Sequence, residues 1–385
     1  MGSLGKEEVP SRDLTEKDME LFEKNNTLLE SLEVPQLYDK SNPNARIFFA
    51  LADGTENDLS DPSKFTNVAK LEKELKRVSE DNPHIRLAYK EGVGTQDNAL
   101  VAKADAVFSF SFKDRANDLY EKFSEQATAW KKENKDAEIS IVHVGFSRGC
   151  GVSAYLNQKI HNEGILDTSY ETISNGKAVY SGKKLVEPNV TKQAMVAYDP
   201  VLTNMKHKDF KLSDSTVSVL QINANDEKRT LFPVSHFIKE GLSANKNSIN
   251  IASPGSHSDV GGSYALDGLG KVTRDIQNKY LNGLTGKDNL KKIELSSNAK
   301  DYGIHDSSKH HVIYRTQNPR AVSDAVNHSL GDKSNHISTN KIVMTSLALN
   351  RSYKTTKEVF AKFKNNQQQK LTKQTKNHNR GYERG

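Results

Sequence analysis

Cysteine is almost absent from this chain, and long hydrophobic runs are missing altogether. Among 385 residues the one cysteine, Cys150, excludes an internal disulfide and a zinc site built from several cysteines, and we interpret it as a small buried residue. No apolar run approaches the roughly 20 residues that span a bilayer. Residues 1–13 contain no apolar segment, so we expect synthesis in the cytoplasm without a secretory signal peptide.

Hydrophobic residues are scarce and the charge is unevenly distributed. They make up 35% of the chain, which is polar for a globular enzyme and indicates polar additions to a normal core. Residues 351–385 carry ten Lys or Arg against two Asp or Glu, so we predict a basic, loosely ordered tail. Attraction to anionic lipid is the alternative role for this tail. Nucleic-acid binding is not expected, because no aromatic interleaving or known motif supports it.

Apolar periodicity predicts strands that alternate with helices. Strands are predicted at 45–52, 84–90, 139–144, 193–198, 216–223 and 248–252, and helices at 65–79, 115–134, 150–159 and 229–241. This alternation predicts an α/β-hydrolase-like fold with a mostly parallel central sheet and helices on both faces. We divide the chain into a polar helical arm (1–40), a catalytic domain (41–350) with a polar insertion (161–190), and the basic tail (351–385).

Residues 145–149 carry a G-x-S-x-G motif with Ser147 at its centre. The motif follows the strand predicted at 139–144 and precedes the helix predicted at 150–159, which is the context of a nucleophile elbow. The two glycines are needed because side chains there would collide with the strand or the helix, and the strained turn is expected to push the serine hydroxyl into the open. We predict Ser147 as the nucleophile, with an ordinary strand-to-helix turn as the alternative. His143, inside the strand, is interpreted as structural.

A nucleophilic serine needs a base, and the base needs an orienting carboxylate. Asp199 follows the strand predicted at 193–198 and precedes Pro200, at the carboxyl end of a strand, where catalytic groups gather in parallel sheets. The α/β-hydrolases have the chain order serine, acid, histidine. We therefore predict Asp199 as the orienting acid, with a loop aspartate that caps a turn as the alternative.

His257 is the predicted general base among twelve histidines. It lies in residues 254–262, a loop after the strand predicted at 248–252, and glycines on both sides allow this loop to wrap back toward a serine on another strand. His305 is the main rival for the role of base. His305 and Asp259 are also predicted to support the site.

Asp53, Gly54 and Thr55 form a turn after the first predicted strand. Backbone N–H groups of Gly54 and Thr55, with the N–H of Arg148, are predicted to form an oxyanion hole. The turn at 92–95, after the second predicted strand, is another source of such donors, and plain turn chemistry is the alternative for both turns. Asp53 is predicted to support the site. The same turn occurs in phosphatases that use an aspartyl nucleophile, but Leu51 stands where that aspartate would be.

With these motifs in order, the chain resembles the catalytic domain of type VI secretion lipase effectors of the phospholipase A type. The matching segments, between about residues 45 and 315, are 48–57, 66–71, 92–95, 145–149, 198–201, 225–229 and 257–262. The resemblance implies Ser147 as nucleophile, His257 as general base and Asp199 as orienting acid. It also implies ester cleavage on glycerophospholipids at a membrane surface, delivery into target cells by a specialised secretion apparatus, and a cognate immunity protein.

Three alternatives remain open from the sequence. One is a carboxylesterase or acyltransferase that acts on small soluble substrates with the same triad. Another is a non-catalytic effector whose fold binds a partner protein. The last is metal-assisted phosphoester cleavage through Asp53, Asp199, His257 and Asp259. The favoured hypothesis requires no metal ion and no cofactor.

Overall fold

A seven-stranded sheet lies at the centre of the computed structural model. The structure describes residues 9–54, 65–92, 101–174, 177–180, 182–203, 205, 210–286, 289–309, 316, 319–323, 346–348 and 365. The strands of the sheet are β1 (Ala45–Ala52), β2 (Ile85–Lys90), β3 (Glu138–Phe146), β4 (Lys192–Tyr198), β5 (Thr216–Ala224), β6 (Gly241–Leu242) and β7 (Ile249–Ser253). Their spatial order is β6-β7-β5-β4-β3-β1-β2.

All neighbouring strands are parallel except β6, which pairs antiparallel with β7 at one edge. The chain runs from β1 outward to β2 and then returns to β3 on the other side of β1. The strand order therefore reverses between β1 and β3, and in such sheets a crevice opens beyond the carboxyl ends of the strands at this switch point.

Helices cover both faces of the sheet, which confirms the predicted fold class. The helices are α1 (Glu16–Glu30), α2 (Asn67–Asp81), α3 (Val101–Glu133), α4 (Gly149–Glu163), α5 (His257–Gly261) and α6 (Gly268–Thr285), with 3₁₀ turns at Thr168–Tyr170, Ala299–Asp301 and Ser307–Lys309. Hydrophobic side chains of α1, α2 and α6 pack on one face, and those of α3 and α4 pack on the other. No helix among the described residues is both long enough and apolar enough to cross a bilayer.

Strand β1 shows why the sheet is buried on both sides. Alternate side chains of a strand point to opposite faces. Every residue of β1 is buried. Ile47, Phe49 and Leu51 join the core on the α2 side, and Phe48, Ala50 and Ala52 join the core on the α3 side. Such a continuous apolar run is typical of a central parallel strand, as the sequence predicted.

The described part of the predicted N-terminal arm packs into the protein. The N-terminal helix α1 buries Met19, Phe22 and Leu29 in the same core as α2 and α6. The Asn25 side chain donates a hydrogen bond to the carbonyl of Ala252 at 2.6 Å. Two-residue strands at Ser11–Arg12 and Ile304–His305, and short strands at Glu33–Pro35 and Ser346–Ala348, pair antiparallel.

The polar stretch at 161–190 leaves the main sheet and forms two small antiparallel pairs. These are Ile165–Leu166 with Lys184–Val186, and Glu171–Ser174 with Lys177–Tyr180. The basic tail predicted at 351–385 lies outside the described residues apart from Asn365.

The prediction of a helix over 229–241 is wrong. That segment is irregular and contains the short strand Val234–Ser235, which pairs in parallel with Val322–Ser323. Pro233 lies in the middle of the segment, where it has no N–H to donate and its ring clashes with a helical backbone. Helix α3 is longer than predicted, since it begins at Val101 and not at residue 115.

His143 in β3 is fully buried, as its interpretation as a structural residue requires. Its Nε2 atom is 2.7 Å from Oε1 of Gln193. Burial lowers the pKa of His143 from 6.5 to about 4, and the hydrogen bond to Gln193 offsets only part of that effect.

This buried histidine predicts a stability that falls in acid. Between pH 6.5 and about 4 the unfolded chain binds a proton at His143 that the folded chain does not, so the free energy of unfolding decreases as the pH falls. We expect this single site to remove about 3 kcal/mol between pH 7.5 and pH 4. Urea unfolding of the wild type and His143→Gln at both pH values tests it, because the other histidines titrate in both proteins. Equal acid sensitivity in the two proteins would contradict the assignment.

Candidate active site

The elbow glycines are required by backbone contacts. A Cβ atom on Gly145 would lie 2.7 Å from Cα of Cys150, and one on Gly149 would lie 2.1 Å from the carbonyl oxygen of Ala52. Neither backbone can yield easily, because one belongs to α4 and the other to the central strand β1. A side chain at either position would therefore collide with backbone, as the motif predicted. The two glycines allow α4 to pack directly against β1.

Ser147 lies in the tight turn between β3 and α4 and has a positive φ of 55°. Asp199, directly after β4, has a φ of 39°. Non-glycine residues in this region carry backbone strain of about 1–3 kcal/mol, and such residues cluster at functional sites. Both side chains lie at the carboxyl edge of the sheet beside the switch point. Ser147 is 4% exposed, so its hydroxyl lies in an enclosed site and is not pushed into the open.

Backbone hydrogen bonds join the serine turn to the segment that carries Asp199. The N–H of Ser147 donates to the carbonyl of Tyr198 at 2.9 Å, and the N–H of Val201 donates to the carbonyl of Ser147 at 3.4 Å. The predicted nucleophile and the predicted acid are thus held on neighbouring strand ends.

The loop that carries His257 turns as its glycines predicted. Gly255 has a φ of 126° and Gly262 a φ of 77°, which are conformations that favour glycine. Ser256 caps α5 in a reciprocal capping box with Asp259, so His257 becomes the first residue of that helix. The N–H of Gly255 also donates to a carboxylate oxygen of Asp226, at 2.9 Å, which ties the loop to the end of β5.

The structure brings His257 and Asp199 into direct contact. Nδ1 of His257 and Oδ2 of Asp199 are 2.5 Å apart, and both residues are buried. The imidazole stacks on the ring of Phe146, the residue before Ser147, with ring centroids 4.6 Å apart. His257 and Asp199 therefore meet at the carboxyl edge of the sheet, and the stacked ring of Phe146 places the imidazole beside the turn that carries Ser147.

The electrostatics of the pair fit an imidazole that accepts protons. Burial lowers the pKa of His257, and the hydrogen bond and charge of Asp199 offset this only partly, so the ring is neutral at pH 7. Burial by itself would raise the pKa of Asp199, but the charge of Arg320 and the hydrogen bond from His257 outweigh it and hold that pKa well below its usual range. A neutral histidine beside an ionised carboxylate is the resting state of a general base.

Asp199 has a further partner that the sequence did not indicate. Arg320 donates to both carboxylate oxygens, with Nη1 2.7 Å from Oδ1 and Nη2 2.9 Å from Oδ2. The N–H of Ala224 also donates to Oδ1, at 2.8 Å. Arg320 follows a proline in a stretch without an apolar pattern or a motif, so no local signal marks it.

Two more charged residues that the sequence left without a role surround His257. Glu227 accepts the N–H of His257 at 3.3 Å and a two-point interaction from Arg229, whose Nε and Nη2 lie 2.9 and 2.8 Å from its oxygens. The Arg229 guanidinium lies 3.6 Å from the centre of the Phe232 ring. That ring meets the imidazole edge-on, with centroids 5.1 Å apart. Both charged residues lie in segment 225–229. From the sequence this segment was identified only as one that resembles the lipase effectors, and its residues were given no role.

Asp53 orders the turn after β1. Its Oδ1 accepts the N–H of Gly54 at 2.8 Å, and its Oδ2 accepts the hydroxyls of Thr66 and Tyr89, each at 2.7 Å. Gly54 lies against the elbow, since a Cβ there would be 3.2 Å from Cβ of Ser147. Its N–H is already engaged by Asp53, so this predicted oxyanion donor does not point freely at the serine.

The other predicted oxyanion donors differ in their placement. Arg148 is the N-cap residue of α4, so its N–H lies at the positive end of a 15-residue helix directly after Ser147. Thr55 lies outside the described residues.

Asp259 and His305 form a second buried pair. Oδ1 of Asp259 is 2.6 Å from Nδ1 of His305, and Oδ2 accepts the backbone N–H of His305 at 3.0 Å. Tyr264 stacks on the His305 ring with centroids 3.9 Å apart. Because the same carboxylate caps α5, this pair braces the helix that begins with His257.

Cys150, three residues after Ser147, is another side chain whose nucleophilicity needs to be considered. Burial, followed by the charge of Asp199, raises the pKa of the Cys150 thiol well above its usual value, so the thiol is protonated and is no rival nucleophile.

Among the described residues, no group of three or more His, Cys, Asp or Glu side chains could hold a metal ion.

The resemblance drawn from the sequence is confirmed by a family model. Residues 46–197 match the model described as T6SS, phospholipase effector Tle1-like, catalytic domain. The match contains β1 to β3 and the elbow with Ser147, and it ends two residues before Asp199. It covers less than half of the chain.

Among solved structures, the chain is similar to the Tle1 effector bound to the VgrG spike from the type 6 secretion system. The sequences are 16% identical and the TM-score is 0.35, with 60% of this chain and 52% of that chain covered. The chain thus spans about half the length of that effector. No curated protein gives a match.

Proposed function

We propose that this chain is a serine hydrolase that cleaves acyl esters of glycerophospholipids, as a phospholipase A-type effector. The observation that carries the proposal is the buried hydrogen bond between His257 and Asp199, at 2.5 Å, beside a serine in a strained elbow. The match of residues 46–197 to a phospholipase effector family supports the lipid substrate and delivery by a type VI secretion system.

The proposed reaction uses each residue of the site in turn. His257 accepts the hydroxyl proton of Ser147 while the serine oxygen attacks an acyl carbonyl carbon, and Asp199 stabilises the resulting imidazolium. N–H groups at the start of α4, including that of Arg148, stabilise the negative oxygen of the tetrahedral intermediate. The imidazolium then protonates the departing alcohol, which leaves as a lysolipid. Water, activated by the same histidine, releases the fatty acid from Ser147.

Two exposed apolar side chains lie on the segments next to the site. Leu231 is 50% exposed and precedes Phe232, whose ring contacts His257. Val322 is 47% exposed and lies two residues after Arg320. Apolar side chains on both segments that contact the His257–Asp199 pair would meet acyl chains at a membrane surface.

The partners and destination follow from the same family match. We propose that a component of the secretion apparatus carries the protein into target cells. We further propose that a cognate immunity protein in the producing cell blocks the active site. Co-purification of the protein with the secretion apparatus and with neighbouring gene products tests both.

Incubation of the purified protein with vesicles of defined phospholipids tests the activity. We expect equimolar fatty acid and lysolipid, measured by mass spectrometry, at a rate that a chelator does not change. A fluorophosphonate probe should add one adduct to Ser147. Hydrolysis of small soluble esters alone would favour the carboxylesterase alternative, and loss of activity with a chelator would favour metal-assisted chemistry. A protein with neither adduct nor hydrolysis would be a partner-binding effector, which contradicts the proposal.

A further inference from the structure

The carboxylate of Asp199 forms a two-point salt bridge with Arg320, an arginine from a distant part of the chain. Arg320 contacts both oxygens of the acid, and Oδ2 is shared with Nδ1 of His257. An orienting acid needs only one hydrogen bond to its histidine and some support from backbone N–H groups, which Ala224 already provides at 2.8 Å. The arginine therefore adds something that orientation alone does not require, namely a full positive charge.

Arg320 is itself held rigidly. Its Nε donates to the carbonyl of Phe232 at 2.7 Å, and its Nη1 also donates to the carbonyl of Ala224 at 3.0 Å. The backbone beside it is fixed by a hydrogen bond from the N–H of Val234 to the carbonyl of Ala321 and by the pairing of Val234 with Val322. A planar guanidinium fixed at both ends imposes one orientation on a carboxylate.

We propose that Arg320 is a positioning residue of the hydrolytic site, which locks the Asp199 carboxylate in the plane that meets His257 and offsets the charge of that acid at the imidazole. Its effect on catalysis rests on the proposed function, whereas its effect on the histidine does not. A bare buried carboxylate would hold His257 strongly in its protonated form. With the arginine in place, the histidine remains neutral, and so able to accept a proton, down to a lower pH.

Other charged or titratable groups face the same pair in the described part of the chain. Arg229 and Glu227 act on His257 from the segment after β5. Cys150 lies within range of the charge of Asp199, and His236 within range of both Asp199 and Arg320. All four remain in an Arg320 variant, so a comparison of variants isolates the arginine.

The direction of the effect follows from these charges. Arg320→Met leaves the charge of Asp199 without an offset, which stabilises the imidazolium and raises the pH at which His257 titrates by about one pH unit. Activity requires the neutral ring, so the acid limb of kcat/KM should move to higher pH by the same amount. At pH 7 we also expect kcat to fall roughly 10-fold with little change in KM, because the acid loses its fixed orientation.

Two readouts separate this proposal from the proposed function. One is the pH profile of ester hydrolysis, and the other is an NMR titration of the His257 ring in histidine-labelled protein, assigned with His257→Gln, which needs no activity. The variants are Arg320→Met and Arg320→Gln, which both remove the charge, and Arg320→Lys, which keeps it. Arg46→Met is the matched control, since Arg46 is a buried arginine at the opposite end of β1.

We expect the His257 titration to move upward in both neutral variants, to stay near the wild-type value in Arg320→Lys, and to be unchanged in Arg46→Met. Arg320→Gln covers the case in which Arg320→Met does not fold. An unchanged His257 titration in a folded neutral variant would overturn the proposal, even if activity fell. A shifted titration in a protein that hydrolyses no ester would uphold the role of Arg320 and refute the proposed function.

Discussion

Replacing Ser147 with alanine should lower phospholipid hydrolysis by roughly 10⁴- to 10⁶-fold. The hydroxyl oxygen is the atom that forms the acyl-enzyme in the proposed reaction, so its removal eliminates that step. Cys150, the next candidate along the chain, is buried with a thiol whose pKa is raised. Fatty acid release from phospholipid vesicles, followed under single-turnover conditions, measures the loss.

The losses at the three triad residues should not add. Asp199→Asn and His257→Gln should each cost roughly 10⁴-fold or more, and the double variants with Ser147→Ala should be no slower than Ser147→Ala itself. This follows because the imidazole and the carboxylate act only through the serine oxygen. Circular dichroism and thermal unfolding confirm that each variant is folded. Near-wild-type hydrolysis by folded Ser147→Ala would refute the serine mechanism.

Replacing Gly149 with alanine should cost both stability and activity. The added Cβ would lie 2.1 Å from the carbonyl oxygen of Ala52, so α4 must move away from β1. Overpacking typically costs about 1–3 kcal/mol, and we expect the upper end here because a backbone obstacle cannot rotate away. The same movement displaces the turn that carries Ser147, and a displacement of about 1 Å in a catalytic group lowers the rate roughly 10²-fold.

Gly303→Ala is the matched control for this substitution. Its new Cβ would also meet close neighbours, but these are the side chains of Leu266 and Ser11, which can rotate away. Urea unfolding and vesicle hydrolysis of both variants should show a large loss for Gly149→Ala and a small one for Gly303→Ala. Equal behaviour would mean that the contact between α4 and β1 yields easily, contrary to the packing described above.

The local features of the site were predictable because short-range chemistry determines them. The apolar run at 45–52 can only be a strand buried on both faces, and β1 has those bounds. The elbow glycines and the turning glycines at 255 and 262 are demanded by backbone geometry at their own positions. Ser147, Asp199 and His257 were expected after strand ends, and they follow β3, β4 and β7 respectively.

Prediction failed where distant parts of the chain determine the conformation. Apolar spacing over 229–241 suggested a helix, but Pro233 and pairing with residues 322–323 impose an irregular loop with a short strand. The surface that helix α1 covers was likewise not evident from the sequence, because its apolar residues do not show what they pack against.

Short stretches of sequence specify the strands, the elbow and the histidine loop, since these depend on backbone sterics and apolar period over a few residues. The way in which the acid is held depends on a long-range contact, because Arg320 and Asp199 are 121 positions apart in the chain. A guanidinium and a carboxylate attract each other through space, and no pattern of neighbouring residues encodes that meeting. Local sequence motifs thus identify the chemical groups of the site, whereas the balance of charges around them is established only when the chain folds.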